Sequence, residues 1–154
     1  MIIIGYQGIG KSTLANNKGV RCIDLESGNF YVDGVRADNW YKIYVQIAKH
    51  LSQQGYTVFV SSHKVVRDEL ANCGERVGAC YPDLSLRDEW VAKLQARYDM
   101  SKLDKDYRAL MNAKDRYMEN ISEVITDCEK YGFKKIVITD MNHPDLHYWL
   151  SHSA

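Results

Sequence analysis

The sequence predicts an α/β domain, a largely parallel sheet with helices packed on both of its faces. Short apolar runs alternate with helical-period segments along nearly the whole chain, the pattern of repeated strand–helix–strand units. The first run, Ile2-Ile3-Ile4, leads straight into Gly5-Tyr6-Gln7-Gly8-Ile9-Gly10-Lys11-Ser12. That string reads G-x-x-x-x-G-K-[ST], which requires a buried strand before it and a helix after it. The length, 154 residues, suits a single domain spanning 1–154 with one core.

The elements follow in order. Strand one is Ile2 to Gly5, and a short helix from Lys11 is expected to end near Gly19. Strand two is Val20 to Leu25, followed by a polar segment from Ser27 to Gly34. A helix runs from about Asp38 to Gln54, with Trp40, Ile43, Tyr44, Ile47 and Leu51 at one-face spacing and Gly55 as its stop. Strand three is Tyr56 to Val60, and a helix from about Ser62 to Cys73 comes next. Strand four is Arg76 to Tyr81, stopped by Pro82. Ser85-Leu86-Arg87-Asp88 reads as a capping-box variant opening a helix with Trp90, Val91, Leu94 and Tyr98 on its apolar face. After a polar break at Asp99 to Asp104, the longest helix runs to Tyr131, and Gly132 stops it. Its stripe is Tyr107, Leu110, Met111, Tyr117, Ile121, Val124, Ile125 and Cys128. Strand five is Phe133 to Ile138, and the tail turns at Asn142-His143-Pro144 into a last helix carrying Leu146, Trp149 and Leu150.

Composition narrows the partners. Lys plus Arg and Asp plus Glu number 20 each, so no chain-wide basic surface attracts nucleic acid or anionic lipid. No apolar run approaches membrane-spanning length, and no signal-peptide pattern precedes the first strand. The four cysteines, Cys22, Cys73, Cys80 and Cys128, show no C-x-x-C pairing, and a reduced, cytoplasmic protein is expected.

The glycine string carries the clearest chemistry. Gly5, Gly8 and Gly10 let the backbone curl so that successive N–H groups, through Ile9 to Thr13, face one anion at a helix start. Lys11 would reach the β- and γ-phosphates of a nucleotide, and the Ser12 hydroxyl would ligate Mg²⁺. ATP and Mg²⁺ are therefore the expected cofactors. In the extended segment Asp24-Leu25-Glu26 the two carboxylates point to one side, at the carboxyl edge of the sheet where open α/β folds bind ligands. A solvated strand end is the competing reading.

On this element order and the glycine string, the chain resembles the nucleoside-monophosphate kinases among P-loop proteins, with shikimate and gluconate kinases as close relatives. The resemblance implies a three-layer P-loop fold with five parallel strands in the order 2-3-1-4-5. It implies an acceptor region at about 27–55 and a mobile lid at about 83–116. The activity it implies is transfer of the γ-phosphoryl group of ATP to a nucleoside monophosphate or deoxynucleotide. A non-nucleotide metabolite as acceptor, or a regulatory nucleotide binder with little turnover, are the alternatives. The Asp24/Glu26 pair looks like the acidic motif ending the second strand of shikimate-type kinases. By that likeness Asp24 holds Mg²⁺ through water or takes the acceptor's proton, and Glu26 binds the acceptor. Strand three departs from the pattern: it ends Val60-Ser61-Ser62-His63, with no acid until Asp68, where related proteins carry a metal-binding Asp.

Other positions follow from the same likeness. Arg67, one turn past strand three, would grip an oxyanion of the acceptor, or else pair with Asp68 or Glu69 on the surface. Arg36 has the same two readings. Trp40 and Tyr44 would stack a base or form plain core. Lys93-Leu94-Gln95-Ala96-Arg97 is similar to the R-L-x-x-R that opens the lid of nucleotide kinases, which makes Arg97 the first catalytic cation of the lid, with Arg87 and Arg116 as further phosphate contacts. The loop from Thr139 to Pro144 would frame adenine. His143 and His147 read as surface residues before they read as metal ligands. The expected partners are ATP and a small phosphate acceptor, with the chain acting as a monomer or homodimer.

Overall fold

Ile2–Gly5 (β1) forms the middle strand of a five-stranded, all-parallel sheet in the order β2-β3-β1-β4-β5. The computed structural model describes residues 1–17, 19–143 and 146–152. β1 is flanked by β3 (Thr57–Val60) and β4 (Val77–Pro82), with Ile3 opposite Phe59 on one side and Gly78 on the other. All of β1 and β4 is buried, which is why these strands are apolar throughout instead of alternating. β2 (Cys22–Asp24) and β5 (Lys134–Ile138) close the two edges. Gly78 is fixed by packing, because a Cβ there would stand 3.0 Å from Met1 Cε and 3.3 Å from Ile136 Cδ1.

Strand crossovers in parallel sheets are right-handed. The β1-to-β2 connection runs toward one edge, and the later connections run toward the other. That places α1 (Lys11–Ala15) on one face and α2 (Trp40–Gln53), α3 (Lys64–Leu70) and the pair α4 (Arg87–Ser101) and α5 (Asp104–Tyr131) on the opposite face. The last helix, α6 (Leu146–His152), packs against α1 and β5. β1 is thus the strand whose exit turns to one face while both neighbours' exits turn to the other. Ligands bind at such a switch point.

Several expectations shift by a few residues for identifiable reasons. α1 stops at Ala15, well before Gly19, because the Asn17 side chain takes the N–H of Gly19 at 3.0 Å and closes a local turn. Pro82 belongs to β4 and pairs with Ile138; β1 has already ended, at Gly5 opposite Cys80, so no donor is missed there. The cap before α4 is Asp83, not Ser85: its carboxylate accepts from the Ser85 N–H at 3.0 Å and the Ser85 hydroxyl at 2.6 Å. These bonds hold the Asp83 carboxyl below its usual range. On α2 the buried arc is Trp40, Tyr44, Val45 and Ala48, while Ile43 is 55% exposed and Ile47 38%.

The core runs on both sides of the sheet and takes in Trp90, Leu94, Leu110, Tyr117 and Ile121 from α4 and α5. The polar residues buried among the described ones are Arg67, Asp106 and Asp127. No helix among the described residues is long and apolar enough to cross a membrane.

Candidate functional site

The loop leaving β1 takes the shape that its glycines permit. Gly8 and Gly10 sit at φ +85° and +98°, left-handed conformations that side-chain-bearing residues avoid. Ile9 between them is fully buried and pins the turn. A Cβ on Gly5 would lie 3.4 Å from Lys11 Cδ, so the lysine stem folds back across the strand end. Gly10, Lys11, Ser12 and Thr13 line a cleft of about 600 Å³ in front of the sheet.

Asp24 meets this loop from β2. The Ser12 hydroxyl donates to Asp24 Oδ2 at 3.0 Å, and Lys11 Nζ stands 4.0 Å from Oδ1. Oδ1 itself is buried without a hydrogen-bond partner. Glu26, two residues on, lines the same cleft. The structure therefore brings together the loop and the paired acids expected from sequence. Tyr44 keeps this edge in register: its hydroxyl donates to the Leu25 carbonyl at 2.5 Å and accepts from the Ser61 N–H at 2.9 Å. Burial pushes the Tyr44 pKa up to about 12, so the phenol stays a donor at every physiological pH. Trp40 and Tyr44 belong to the core, with Phe30 tilted against Trp40 and edge-on to Tyr44.

Among the described residues no group of three or more His, Cys, Asp or Glu could hold a metal. Mg²⁺ does not need one, since it commonly takes one or two protein oxygens and fills its octahedron with water and phosphate oxygens. Ser12 and Asp24, with the unpartnered Oδ1, fit that demand.

The far wall of the cleft is cationic. Lys93, Arg97 and Lys105 reach it from α4 and α5. Arg97 Nε pairs with Asp106 Oδ1 at 2.9 Å, and Asp106 also accepts a very short hydrogen bond from Ser101. Lys93 lies 4.4 Å over the Trp90 ring; burial first, and Arg97 second, lower its pKa. Arg87 and Arg116, the further phosphate contacts expected from sequence, do not line the cleft. Arg87 Nη2 donates to the Lys114 carbonyl at 2.8 Å, taking an acceptor that belongs to the helical ladder. α5 is kinked just beyond, at Arg116 (φ −137°, ψ 19°). Arg116 pairs with Glu119 at 3.1 Å on the surface.

The stretch 83–116 is also more firmly seated than a free lid. Trp90 is buried and its indole N–H donates to the Gln7 carbonyl at 2.8 Å. A Cβ on Gly8 would be 2.9 Å from Leu94 Cδ2 and 3.3 Å from Trp90 Nε1. The near half of α4 thus rests on the glycine loop. Its far end carries the most exposed apolar side chain, Met100, at 90%.

Arg67 is not placed to grip an oxyanion. It is 4% exposed, with Nε on Asp127 at 2.7 Å, Nη1 on the Ser62 carbonyl at 2.8 Å and Nη2 on Glu123 at 3.0 Å. Its carboxylate partners come from α5 and not from the neighbouring Asp68 or Glu69. Arg36 keeps its guanidinium stacked 4.1 Å over Trp40 and 4.4 Å over Tyr31. His63 pairs through Nδ1 with the Ser61 hydroxyl at 2.7 Å. Burial, then the charges of Arg36, Lys11 and Arg67, lower its pKa, so it is neutral at pH 7. Within the proposed adenine loop, His143 stacks on Tyr148 at 4.1 Å, and Pro144 lies outside the described residues.

Three residues of functional interest carry little sequence signal. Gln7 occupies one of the free positions of the glycine string, and Asn112 and Asn120 sit in a helix dense in charge, where amides read as solvated surface. The structure brings the three together beside Lys11. No protein-family model matches this chain, and no curated protein matches it.

Proposed function

We propose that this protein is an ATP-dependent phosphotransferase of the P-loop type that moves the γ-phosphoryl group to a hydroxyl of a small acceptor. The observation that supports it best is one juxtaposition. Lys11 folds over Gly5, and the Ser12 hydroxyl rests on Asp24, at the carboxyl end of a central parallel strand and opposite the cations Lys93, Arg97 and Lys105. Backbone N–H groups of residues 8–13 and Lys11 would cradle the phosphates, and Arg97 would add charge at the transferring group. Ser12 and Asp24 would hold Mg²⁺, which neutralises phosphate oxygens when bound. The acceptor oxygen attacks the γ-phosphorus, a new O–P bond forms, and the bond to the bridging oxygen breaks. ADP leaves with that electron pair, and the hydroxyl proton is lost to solvent. Catalysis on this plan is positioning and charge, which is what phosphoryl transfer asks of a protein. The expected setting is a cytoplasmic enzyme acting as a monomer or homodimer.

A second reading, a nucleotide-binding regulator with little turnover, is favoured by the end of β3, where Ser61, Ser62 and His63 stand in place of an acid. Acceptor-stimulated ADP release separates the two. Lys11→Ala is expected to cut that release at least about a hundredfold. Asp24→Asn is expected to abolish its Mg²⁺ dependence, while His63→Ala keeps most of it. Near-normal turnover in Lys11→Ala would defeat the transferase reading, and the reverse ranking of Asp24 and His63 would move the centre to the end of β3.

A further inference from the structure

A second cleft, of about 320 Å³, opens on the other side of Lys11. Its walls come from the β1 loop, the end of β3, the start of α3 and the middle of α5. Lys11 lines both clefts, so a molecule here faces the same ammonium as a nucleotide in the first. That is where a phosphoryl acceptor must stand if the transferase reading holds.

The charges around this cleft are already committed. Arg67 is held by Asp127 and Glu123, and Lys64 pairs with Asp68 at 2.9 Å and with Asp127 at 3.1 Å. His63 is neutral, and Glu123 adds a negative charge at the rim. Lys11, 4.0 Å from Asp24 Oδ1, is the remaining cation of the lining, and on the transferase reading the donor phosphates claim it. A phosphate dianion entering this space would lose its hydration without gaining a partner.

The rest of the wall is amide. Asn112 Oδ1 accepts from Asn120 Nδ2 at 2.8 Å and from Gln7 Nε2 at 3.4 Å. With its N–H₂ so oriented, Gln7 Oε1 is buried and has no donor. Buried carbonyl oxygens are almost always bonded, and Gln7 lines both clefts, so this exception marks a place for a ligand's N–H or O–H. Carboxamides offer donor and acceptor side by side, and they pair with groups that do the same, as they do with base edges in nucleic acid.

We propose that this second cleft takes the phosphoryl acceptor, and that the acceptor is an uncharged molecule that donates an N–H or O–H to Gln7 Oε1 and accepts from the Asn112 amide N–H₂, not a nucleoside monophosphate. Nucleosides and monosaccharides both present this chemistry. Arg36 is held in a stack on Trp40, which packs edge-on against His63 of the lining, and it is the cation a monophosphate would have to recruit from that stack.

The test begins with calorimetric titration of ATP·Mg²⁺ into the wild-type protein and Lys11→Ala, which judges the donor site alone. Phosphotransfer from ATP is then measured to nucleosides, to the matching monophosphates and to monosaccharides. The expected result is a kcat/KM for at least one uncharged compound at least about tenfold above that for any monophosphate; which uncharged class responds identifies the source. Asn112→Leu should raise the acceptor KM about tenfold while leaving ATP affinity intact, whereas a merely structural role would weaken both. Glu123→Gln frees one arm of Arg67 and should raise kcat/KM for monophosphates about tenfold. Preference for monophosphates in the wild type, lost in Arg36→Ala, would overturn the proposal. So would failure to use any uncharged compound by a protein that binds ATP through Lys11, and in that case the donor reading would stand.

Discussion

At the scale of single residues, the site depends on positions that tolerate no alternative. Gly8 is constrained twice, by a left-handed backbone at φ +85° and by Leu94 and Trp90 standing where a Cβ would go. Left-handed strain in a residue with a side chain costs about 1–3 kcal/mol. Gly8→Ala is therefore expected to lower the melting temperature by several degrees and to weaken ATP binding at least about tenfold. Adding Leu94→Ala removes the clash but not the strain, so it should restore stability only in part. Scanning calorimetry and ATP titration check both; a Gly8→Ala protein with unchanged ATP affinity would mean that the loop does not hold the nucleotide. Lys11, Ser12 and Asp24 stood out in the sequence because each belongs to a local pattern, the glycine string or the two acids of Asp24-Leu25-Glu26, and the structure sets Ser12 against Asp24. Arg67 misled because its partner Asp127 lies 60 positions away, and no pattern in a single sequence displays that pairing. The amides of the second cleft were silent for a similar reason: a carboxamide has no periodicity, and only the fold shows where it faces.

At the scale of elements, the strands, their succession along the chain and their parallel direction could be read directly, while their order in the sheet came from the resemblance to P-loop kinases. Fully buried parallel strands must be apolar on both faces, and segments of helical period alternate with them. Element ends were less legible, because they rest on side chains such as Asn17 and Asp83 whose competing bonds no propensity records. The helical pair α4–α5 shows the same division. Its existence was plain from the apolar stripe and the break at Asp99 to Asp104, but its seating on Gly8 was not. Motion in this segment is thus expected only beyond Leu94. Hydrogen exchange over about 97–108 should slow when an ATP analogue and an acceptor are both bound, and slow less with either alone, while the near half of α4 stays slow throughout. Arg97→Ala should reduce the transfer rate far more than it weakens ATP binding, since its contact belongs to the transition state. Slow exchange across 97–108 in the free protein, or a silent Arg97→Ala, would mark the pair as rigid scaffold.

At the scale of the whole molecule, one ion network ties α3 to α5 beneath the second cleft. Asp127 is buried and takes both Arg67 and Lys64. Breaking a buried pair from one side leaves a charge without a partner and costs about 3–5 kcal/mol. Asp127→Asn should unfold at a markedly lower urea midpoint, and Arg67→Met in that background should recover part of the loss. Asp68, at the edge of the same network, is pushed up by burial but held below its usual range by hydrogen bonds from Lys64 and Tyr131, each at 2.9 Å. Its folded pKa is the lower one, so its contribution is present above the unfolded value of 3.8 and fades as pH falls through the folded one. Asp68→Asn should flatten the acid limb of the urea midpoint plotted against pH; an unchanged limb would place the acid sensitivity elsewhere.

The kink at Arg116 has a consequence for how force would travel. The helix from Asp104 to that kink is one straight arm of twelve residues, about 18 Å long. Arg87 pins its base through the Lys114 carbonyl, and Lys105 and Asp106 ride near its tip. A rotation of only about 10° at the base sweeps the tip through about 3 Å, the length of one hydrogen bond. Leu110 and Ala113 seat this arm in the core, so any such swing is felt at its exposed tip, where Lys105 stands and where Asp106 holds Arg97, and a contact of either cation with a phosphate would be the first thing it makes or breaks.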